Sequence, residues 1–399
     1  MYNAIVINVD ELWLKGKNRP RYFKALKQHI KEVVKLLHTD KTEIANENQR
    51  LVLKSETAFK EEVLEGLLTV PGIYSIAPAR RVAPEFDAIL PALVEELNTF
   101  ETLPASFKVV TKRSEKNFPM SSMEISKTLG HLIRAKHFPD WPVVMKNQAL
   151  TIDIKVLKNN IYISTRNLIG VGGLPSGTSG HFVTMLSGGF DSPVASFMMA
   201  KRGVRQTFAF FYAYPFVGDE VKDKILALTK ILGRYQRHGR LFVLPFGDLQ
   251  KKISDICKEE YRTLLFRKSM IECSNLLADR VEANGILTGD ALGQVSSQTI
   301  GNITALDMCS KYPIFRPLVG FNKAEIIEKS KIIGTHDTSV IPHDDACALF
   351  APKHPVLSPD LEYWKEFMGE HDLSDDLNQI IDDAEVYIID AVGEMTEVE

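Results

Sequence analysis

The chain has 399 residues, 25% charged and 45% hydrophobic, with a formal net charge of −3. That length holds two or three domains, and the composition is that of a soluble globular protein, not of a disordered or fibrous chain. There is no apolar run of spanning length and no signal peptide, so a cytoplasmic protein with no membrane partner is expected. Its four cysteines, Cys257, Cys273, Cys309 and Cys347, form no Cys-x-x-Cys pair, which argues against a zinc site or disulfide framework and fits a reducing compartment.

In chain order, Asn3 to Val9 reads as a strand, Glu11 to Arg19 as a basic turn and Arg21 to Leu37 as a helix, with Phe23, Leu26, Ile30, Val33, Val34 and Leu37 on one face. A lysine stripe, Lys24, Lys27, Lys31 and Lys35, occupies the other. Arg50 to Lys54 reads as a strand, Ala58 to Leu68 as a helix and Ile73 to Ile76 as a strand, an order that suggests a small ferredoxin-like unit. A second unit follows: a helix over Phe86 to Leu97, a strand over Phe107 to Arg113, a helix after Met120 with Ser121 and Glu124 at capping-box spacing, and strands over Leu150 to Val156 and Asn160 to Thr165. Arg166 to Gly180, with five glycines and Pro175, reads as a linker. Beyond it, strands and helices alternate as in a doubly wound parallel sheet: His181 to Met185, Gln206 to Tyr212, Leu241 to Pro245 and Gly285 to Asp290 as strands, Glu220 to Leu232, Leu249 to Val281 and Lys323 to Ile333 as helices.

Charge is unevenly spread. Residues 15–35 carry eight Lys/Arg and one acid, and residues 101–180 carry 11 basic and 5 acidic residues, whereas residues 340–399 carry 2 basic and 16 acidic. A basic surface is the footprint of a polyanion, although an ordinary solvated face has the same composition. The residues expected to meet such a partner are Lys15, Lys17, Arg19, Lys24, Lys108, Lys112, Arg113 and Lys116.

The chemistry concentrates after His181. The apolar run breaks at Ser187-Gly188-Gly189, and Ser192 and Pro193 read as the N-cap and first residue of a helix. Strand, glycine turn and helix N-terminus together make an anion site. Where a Walker loop has lysine, this loop has Asp191, an acid suited to a Mg²⁺ on polyphosphate oxygens. Ser-Gly-Gly-Phe-Asp-Ser resembles the PP-loop of ATP pyrophosphatases, so Ser187, Gly188, Gly189 and Ser192 are expected around the phosphates. Ligands in such sheets sit at the strand exits, which adds Phe211-Tyr212 and the Gly289 to Gln298 loop. Cys347 lies in a polar loop, unlike the helical settings expected for Cys257 and Cys273; Cys309 stands as a candidate resolving thiol.

Together these segments resemble the tRNA 4-thiouridine synthase (tRNA sulfurtransferase, ThiI) family over nearly the whole chain. Glu11 to Arg19 with Phe23 is similar to its ferredoxin-like domain. Phe107 to Arg113, Phe118-Pro119 and Ser121-Ser122 are similar to its THUMP domain, and Gly172 to Pro175 with Gly177 to Gly180 to the segment entering the PP-loop. Gly289 to Thr299, Arg316-Pro317 and Lys323 match later signatures. Phe211-Tyr212 departs from the family's His-Phe, and Asp290 replaces its commoner Glu. The resemblance implies an α/β chain with an N-terminal ferredoxin-like domain over residues 1–60, or to about 80, and a THUMP RNA-binding domain over 61–168. A linker over 169–180 and a PP-loop pyrophosphatase domain over 181–399 complete it, with no C-terminal rhodanese domain.

The implied reaction is adenylation by ATP of O4 of uridine 8 in tRNA, then sulfur transfer from a persulfide on Cys347, loaded by a cysteine desulfurase. Met185, Leu186, Phe211, Tyr212, Arg267, Gly289 and Gln298 fall on ATP-contact positions, and Asp191 and Lys323 on functional ones. A homodimer and a second role, sulfur transfer to a carrier protein for the thiazole of thiamine, are also implied. On residues alone, another PP-loop adenylating enzyme (a 2-thiouridine synthase or an amidotransferase-type ligase) and a tRNA-binding module with an inactive site stay open.

Overall fold

The computed structural model describes residues 2–47, 50–342, 350 and 352–398. The described chain forms two compact units, Met1–Gly173 and Leu174–Glu399.

The first unit opens with β1 (Ala4–Val9), a 3₁₀ segment (Glu11–Asn18) and α1 (Arg19–Leu37), then β2 (Thr42–Glu47), β3 (Arg50–Ser55), α2 (Glu61–Leu68) and β4 (Ile73–Val82). β2 was not expected from sequence: it is the edge strand, and its Thr-Glu-Ile-Ala-Asn-Glu run lacks the apolar density of a central strand. α3 (Ile89–Leu97), β5 (Phe107–Arg113), α4 (Ser122–Lys136), β6 (Leu150–Val156), β7 (Ile161–Ser164) and β8 (Leu168–Ile169) follow. The sheet order is β2-β3-β1-β4-β7-β6-β5, with β8 also on β4. β4 therefore serves both halves: Ala77 and Ala79 pair with Val6 and Ala4, and Arg80 to Val82 pair with β7. The capping box forms, Ser121 Oγ accepting from Glu124 N while Glu124 accepts from Ser121 N. Where a bare linker is expected, β8 pairs with Ser75 and Ile76.

A buried carboxylate locks the two halves of this sheet. Glu96, 1% exposed, accepts from Tyr2 Oη at 2.5 Å, Thr165 Oγ1 at 3.0 Å and Arg80 Nε at 2.9 Å. Burial, then the hydrogen bond to Glu96, pushes the Tyr2 phenol up to about 12.

The second unit has β9 (His181–Met185), α5 (Asp191–Lys201), β10 (Arg205–Tyr212), α6 (Asp219–Gly233), β11 (Gly239–Pro245), α7 (Gly247–Ile256), α8 (Arg262–Val281) and β12 (Gly285–Leu287). Then come α9 (Ile300–Asp307), β13 (Ile314–Phe315), α10 (Lys323–Ile332), α11 (His336–Val340), α12 (Leu361–Glu370), α13 (Ser374–Asp382), β14 (Glu385–Ile389) and β15 (Met395–Val398). The order is β13-β12-β9-β10-β11-β14-β15, parallel from β13 to β11. Along β10, Phe208, Phe210 and Tyr212 join one core with α6, and Ala209 and Phe211 join the other with α8. This two-sided burial is why the strand reads as a continuous apolar run.

Two expectations are corrected here. The single helix from Leu249 to Val281 is two, broken where Cys257 and Lys258 adopt extended backbone before a 3₁₀ turn; Cys257 therefore ends a helix instead of lying within one. The acidic tail contributes two antiparallel strands to the sheet, β14 on β11 and β15 on β14. No helix among the described residues is long and apolar enough to cross a membrane.

Glu96→Ala is expected to lower the unfolding free energy of the isolated first unit by about 1–3 kcal/mol, because it leaves two hydroxyls without their acceptor and Arg80 with Glu95 alone; urea denaturation of residues 1–173 checks this.

Candidate active site

The central strand β9 delivers the chain into the glycine loop. Leu186 N still donates to Ala209 O of β10 at 2.9 Å, and then the chain turns. Ser192 is not the N-cap expected from sequence: Phe190 is, and the helix begins at Asp191. The Ser192 hydroxyl instead accepts from Ser187 N at 2.8 Å and lies 3.1 Å from Ser187 Oγ, stapling the loop's entrance to the first helical turn. Between them, the amides of Gly188 and Gly189 find no acceptor among the described residues. A Cβ on Gly189 would meet nothing nearer than Ser187 Oγ at 3.9 Å, so that glycine relieves no clash and leaves the amides bare. Unpaired amides at the start of an 11-residue helix form an anion cradle.

A cavity of about 290 Å³ opens beside this loop, lined by Met185, Leu186, Ser187, Gly188, Asp191, Ser192, Phe211, Arg267, Gly289 and Gln298 among others. Each of these is among the residues expected from the sequence. Three more expected residues do not line it. Gly189 faces the other way along the loop, its carbonyl accepting from Ser339 Oγ at 3.2 Å. Tyr212 joins the core on the far face of β10 from Phe211 and donates to Asp219 at 3.0 Å. Lys323 acts through Asp191, reaching its two carboxylate oxygens at 2.8 and 3.0 Å. Lys323 is the first residue of α10, whose N-terminus is closed by an Asn322–Glu325 capping box. A cation at the positive end of a helix dipole is unfavourable, and Asp191 offsets that cost. Cys347 lies outside the described residues.

The floor of the cavity is a charged network that sequence reasoning missed. Asp290, 3% exposed, accepts from Arg267 at 2.5 Å, Thr288 Oγ1 at 2.8 Å, Arg316 Nε at 3.2 Å and Gln298 Nε2 at 3.4 Å. Burial alone would push this carboxyl up; Arg267 beside it, the hydrogen bonds from Arg267 and Thr288, and Arg316 outweigh that and hold it below the usual carboxylate range. The Asp290 network fixes Arg267 and Gln298 in the wall. The other amide atom of Gln298, Oε1, is buried with no hydrogen-bond partner among the described residues, which is costly unless a ligand donates to it. Gln294 Nε2, from the same loop, donates to Asp191 at 2.9 Å. Asp290 and Arg316 were visible in the sequence only as motif letters, because their pairing spans 26 residues.

Gly289 explains the tightness of this corner. A Cβ there would lie 2.6 Å from Ser192 N and 2.8 Å from the Asp191 carbonyl carbon, both backbone atoms that cannot swing aside.

Cys309 is half-buried with its Sγ 3.5 Å from Ala305 O. Burial first, then Glu272, pushes its thiol up to about 11, the opposite of what an attacking thiolate needs.

The first unit carries the basic residues expected at a nucleic-acid surface. Lys17, Lys24, Lys112 and Lys116 are exposed. Lys15 packs over the Tyr22 ring and Arg19 over Trp13, while Lys108 Nζ donates to Met145 O at 3.2 Å. Arg113 spends one nitrogen on the carbonyls of Lys116, Phe118 and Met120, so it shapes that loop as well as charging it. Beside β5 runs a groove lined by Lys108, Lys127, His131 and Arg134 together with Met123, Val143 and Met145.

A parallel doubly wound sheet, a bare glycine turn at its central strand exit and an acid in place of the Walker lysine define a PP-loop ATP-pyrophosphatase fold. Family models for the ThiI ferredoxin-like domain, the THUMP domain and the thiamine biosynthesis protein ThiI match residues 4–77, 87–166 and 177–373. The chain is 35% identical over 389 residues to a probable tRNA sulfurtransferase of Halothermothrix orenii, covering 96% of this chain and 97% of that one. It is 34% identical over 394 residues to a protein of the same description from Acetivibrio thermocellus, covering 98% and 99%. A crystal structure of a 4-thiouridine synthetase–RNA complex with bound ATP superposes with a TM-score of 0.87 at 28% identity, over 98% of this chain and 100% of that one. This chain belongs to the ThiI family of tRNA sulfurtransferases.

Gly289→Ala is expected to destabilise the second unit by roughly 1–3 kcal/mol through overpacking and to displace the Ser187–Ser192 staple; thermal unfolding and nucleotide titration of the variant measure both.

Proposed function

We propose that this protein makes 4-thiouridine at position 8 of tRNA, using ATP and a cysteine-borne persulfide. The observation that carries this reading is the cavity at the β9 exit, where a bare amide, a helix N-terminus and Asp191 surround space for a triphosphate. The resemblance of the whole chain to an ATP- and RNA-bound 4-thiouridine synthetase supports the same choice.

In this reading the bare Gly188 amide cradles phosphate oxygens. The buried Gln298 Oε1 takes a donor from the nucleoside, and Arg267 stays in place because Asp290 holds it. Uridine O4 attacks the α-phosphorus and pyrophosphate leaves. Lys323 acts from outside the cavity, holding the Asp191 carboxylate in place beside the phosphates. Among the described residues no trio of His, Cys, Asp or Glu could hold a metal, but one carboxylate suits Mg²⁺, whose other ligands are phosphate oxygens and water. Asp191 would hold that ion, which supplies charge neutralisation when bound. The terminal sulfur of the Cys347 persulfide then adds at C4 and AMP leaves with O4, giving a Cys347–S–S–C4 disulfide. An external thiol attacks Cys347 Sγ, breaks that S–S bond and frees the 4-thiouridine, and a second equivalent of the thiol reduces the mixed disulfide left on Cys347. A cysteine desulfurase reloads Cys347. We extend the proposal to a homodimer and to sulfur transfer to a thiamine-pathway carrier protein.

Two experiments test it. In a thiolation assay on unmodified tRNA with a desulfurase and cysteine, Asp191→Ala is expected to release no AMP or pyrophosphate. Cys347→Ser is expected to bind ATP and tRNA yet form no thionucleoside and no persulfide detectable by mass spectrometry. Full thiolation by Cys347→Ser would overturn the sulfur route, and release of ADP and phosphate by the native protein would overturn the adenylation. For tRNA capture, charge reversal at the exposed pair Lys112 and Lys116 is expected to weaken binding about tenfold and to flatten the salt dependence by about two contacts, read by binding titrations at several salt concentrations.

A further inference from the structure

One buried cation in the second unit has no part in the chemistry above. Lys224, on α6, is 4% exposed. Its Nζ donates to Ile341 O at 2.6 Å and to Ser339 O at 3.0 Å, the carbonyls at the end of α11. Burial draws its ammonium below the usual lysine value, so a cation stays here only because fixed acceptors replace its water.

The stretch Lys224 holds is tied at the same place to the glycine loop. Ser339 Oγ donates to Gly189 O at 3.2 Å, and Ser339 and Thr335 are themselves buried. Ile341 also lies six positions before Cys347 in the sequence. One short segment thus touches the phosphate loop, is pinned from beneath by a buried ammonium, and leads into the run that carries the sulfur. An apolar residue at position 224 would fill the same space but leave two carbonyls unpaired. The use of a lysine there points to fixing the backbone and not to packing alone.

We propose that Lys224 is a positioning residue for sulfur transfer: by holding the Ser339 and Ile341 carbonyls it sets where the chain departs toward Cys347 relative to the glycine loop. The proposal rests on the reading of Cys347 as the persulfide carrier and deepens it.

The test separates the two half-reactions. Lys224→Met is expected to release pyrophosphate in the presence of tRNA within twofold of the native rate and to accept persulfide on Cys347 normally. Single-turnover transfer from preloaded Cys347 to tRNA, with an external thiol present to release the product, is expected to fall tenfold or more. Lys224→Arg, which keeps a cationic donor, is expected to recover transfer to within about threefold. Parallel loss of pyrophosphate release and transfer, unchanged transfer, or failure of both variants to fold would each overturn the proposal. Absence of pyrophosphate release or of a Cys347 persulfide in the native protein would instead count against the underlying reaction.

Discussion

The second unit is organised around a few unpaired backbone amides at the mouth of its central strand. Amides left bare at a helix start are costly unless an anion or water takes them, and the surrounding sequence keeps side chains away from them. Ser192 reaches back to Ser187, so the loop is tied at its two ends and open in the middle. Gly289 lets the neighbouring strand exit come within contact distance of the same turn. Asp191 adds negative charge where the dipole favours it, and Lys323 and Gln294 complete its coordination.

Asp290 does for the cavity floor what Glu96 does for the first unit. Each is a carboxylate buried almost completely that organises side chains distant in sequence. Such groups are poor sources of net stability, because desolvation consumes most of the attraction. Their consequence here is geometric: Arg80, Tyr2 and Thr165 meet at one point, and Arg267, Arg316 and Gln298 at another.

Much of this was legible in the sequence, for identifiable reasons. The glycine loop, the Ser121–Glu124 box and the α1 face are written in residues close together, where spacing maps directly onto geometry. The parallel strands announced themselves because β10 is buried on both faces. What escaped depends on partners far apart or on weak local preference. β2 is a polar edge strand, β14 and β15 are strands in a stretch that reads as acidic tail, and the break at Cys257 has no proline or glycine to mark it. Ser192 has the type and position of a cap, but its hydroxyl pairs with a partner five residues back. The Asp290 hub could be found only once its two arginines were seen to converge.

The placement of β14 and β15 has a consequence for biogenesis. β14 pairs with β11, about 145 residues earlier in the chain. On a ribosome that adds some tens of residues in a few seconds, the parallel strands emerge well before their antiparallel border. Throughout that interval β11 presents an open hydrogen-bonding edge, the kind of surface that recruits foreign strands. The first unit, whose strands pair among themselves, can finish its sheet while the second is still being made. For this chain the hazardous window in synthesis falls late and on the catalytic half, where nascent-chain chaperones have the most to protect.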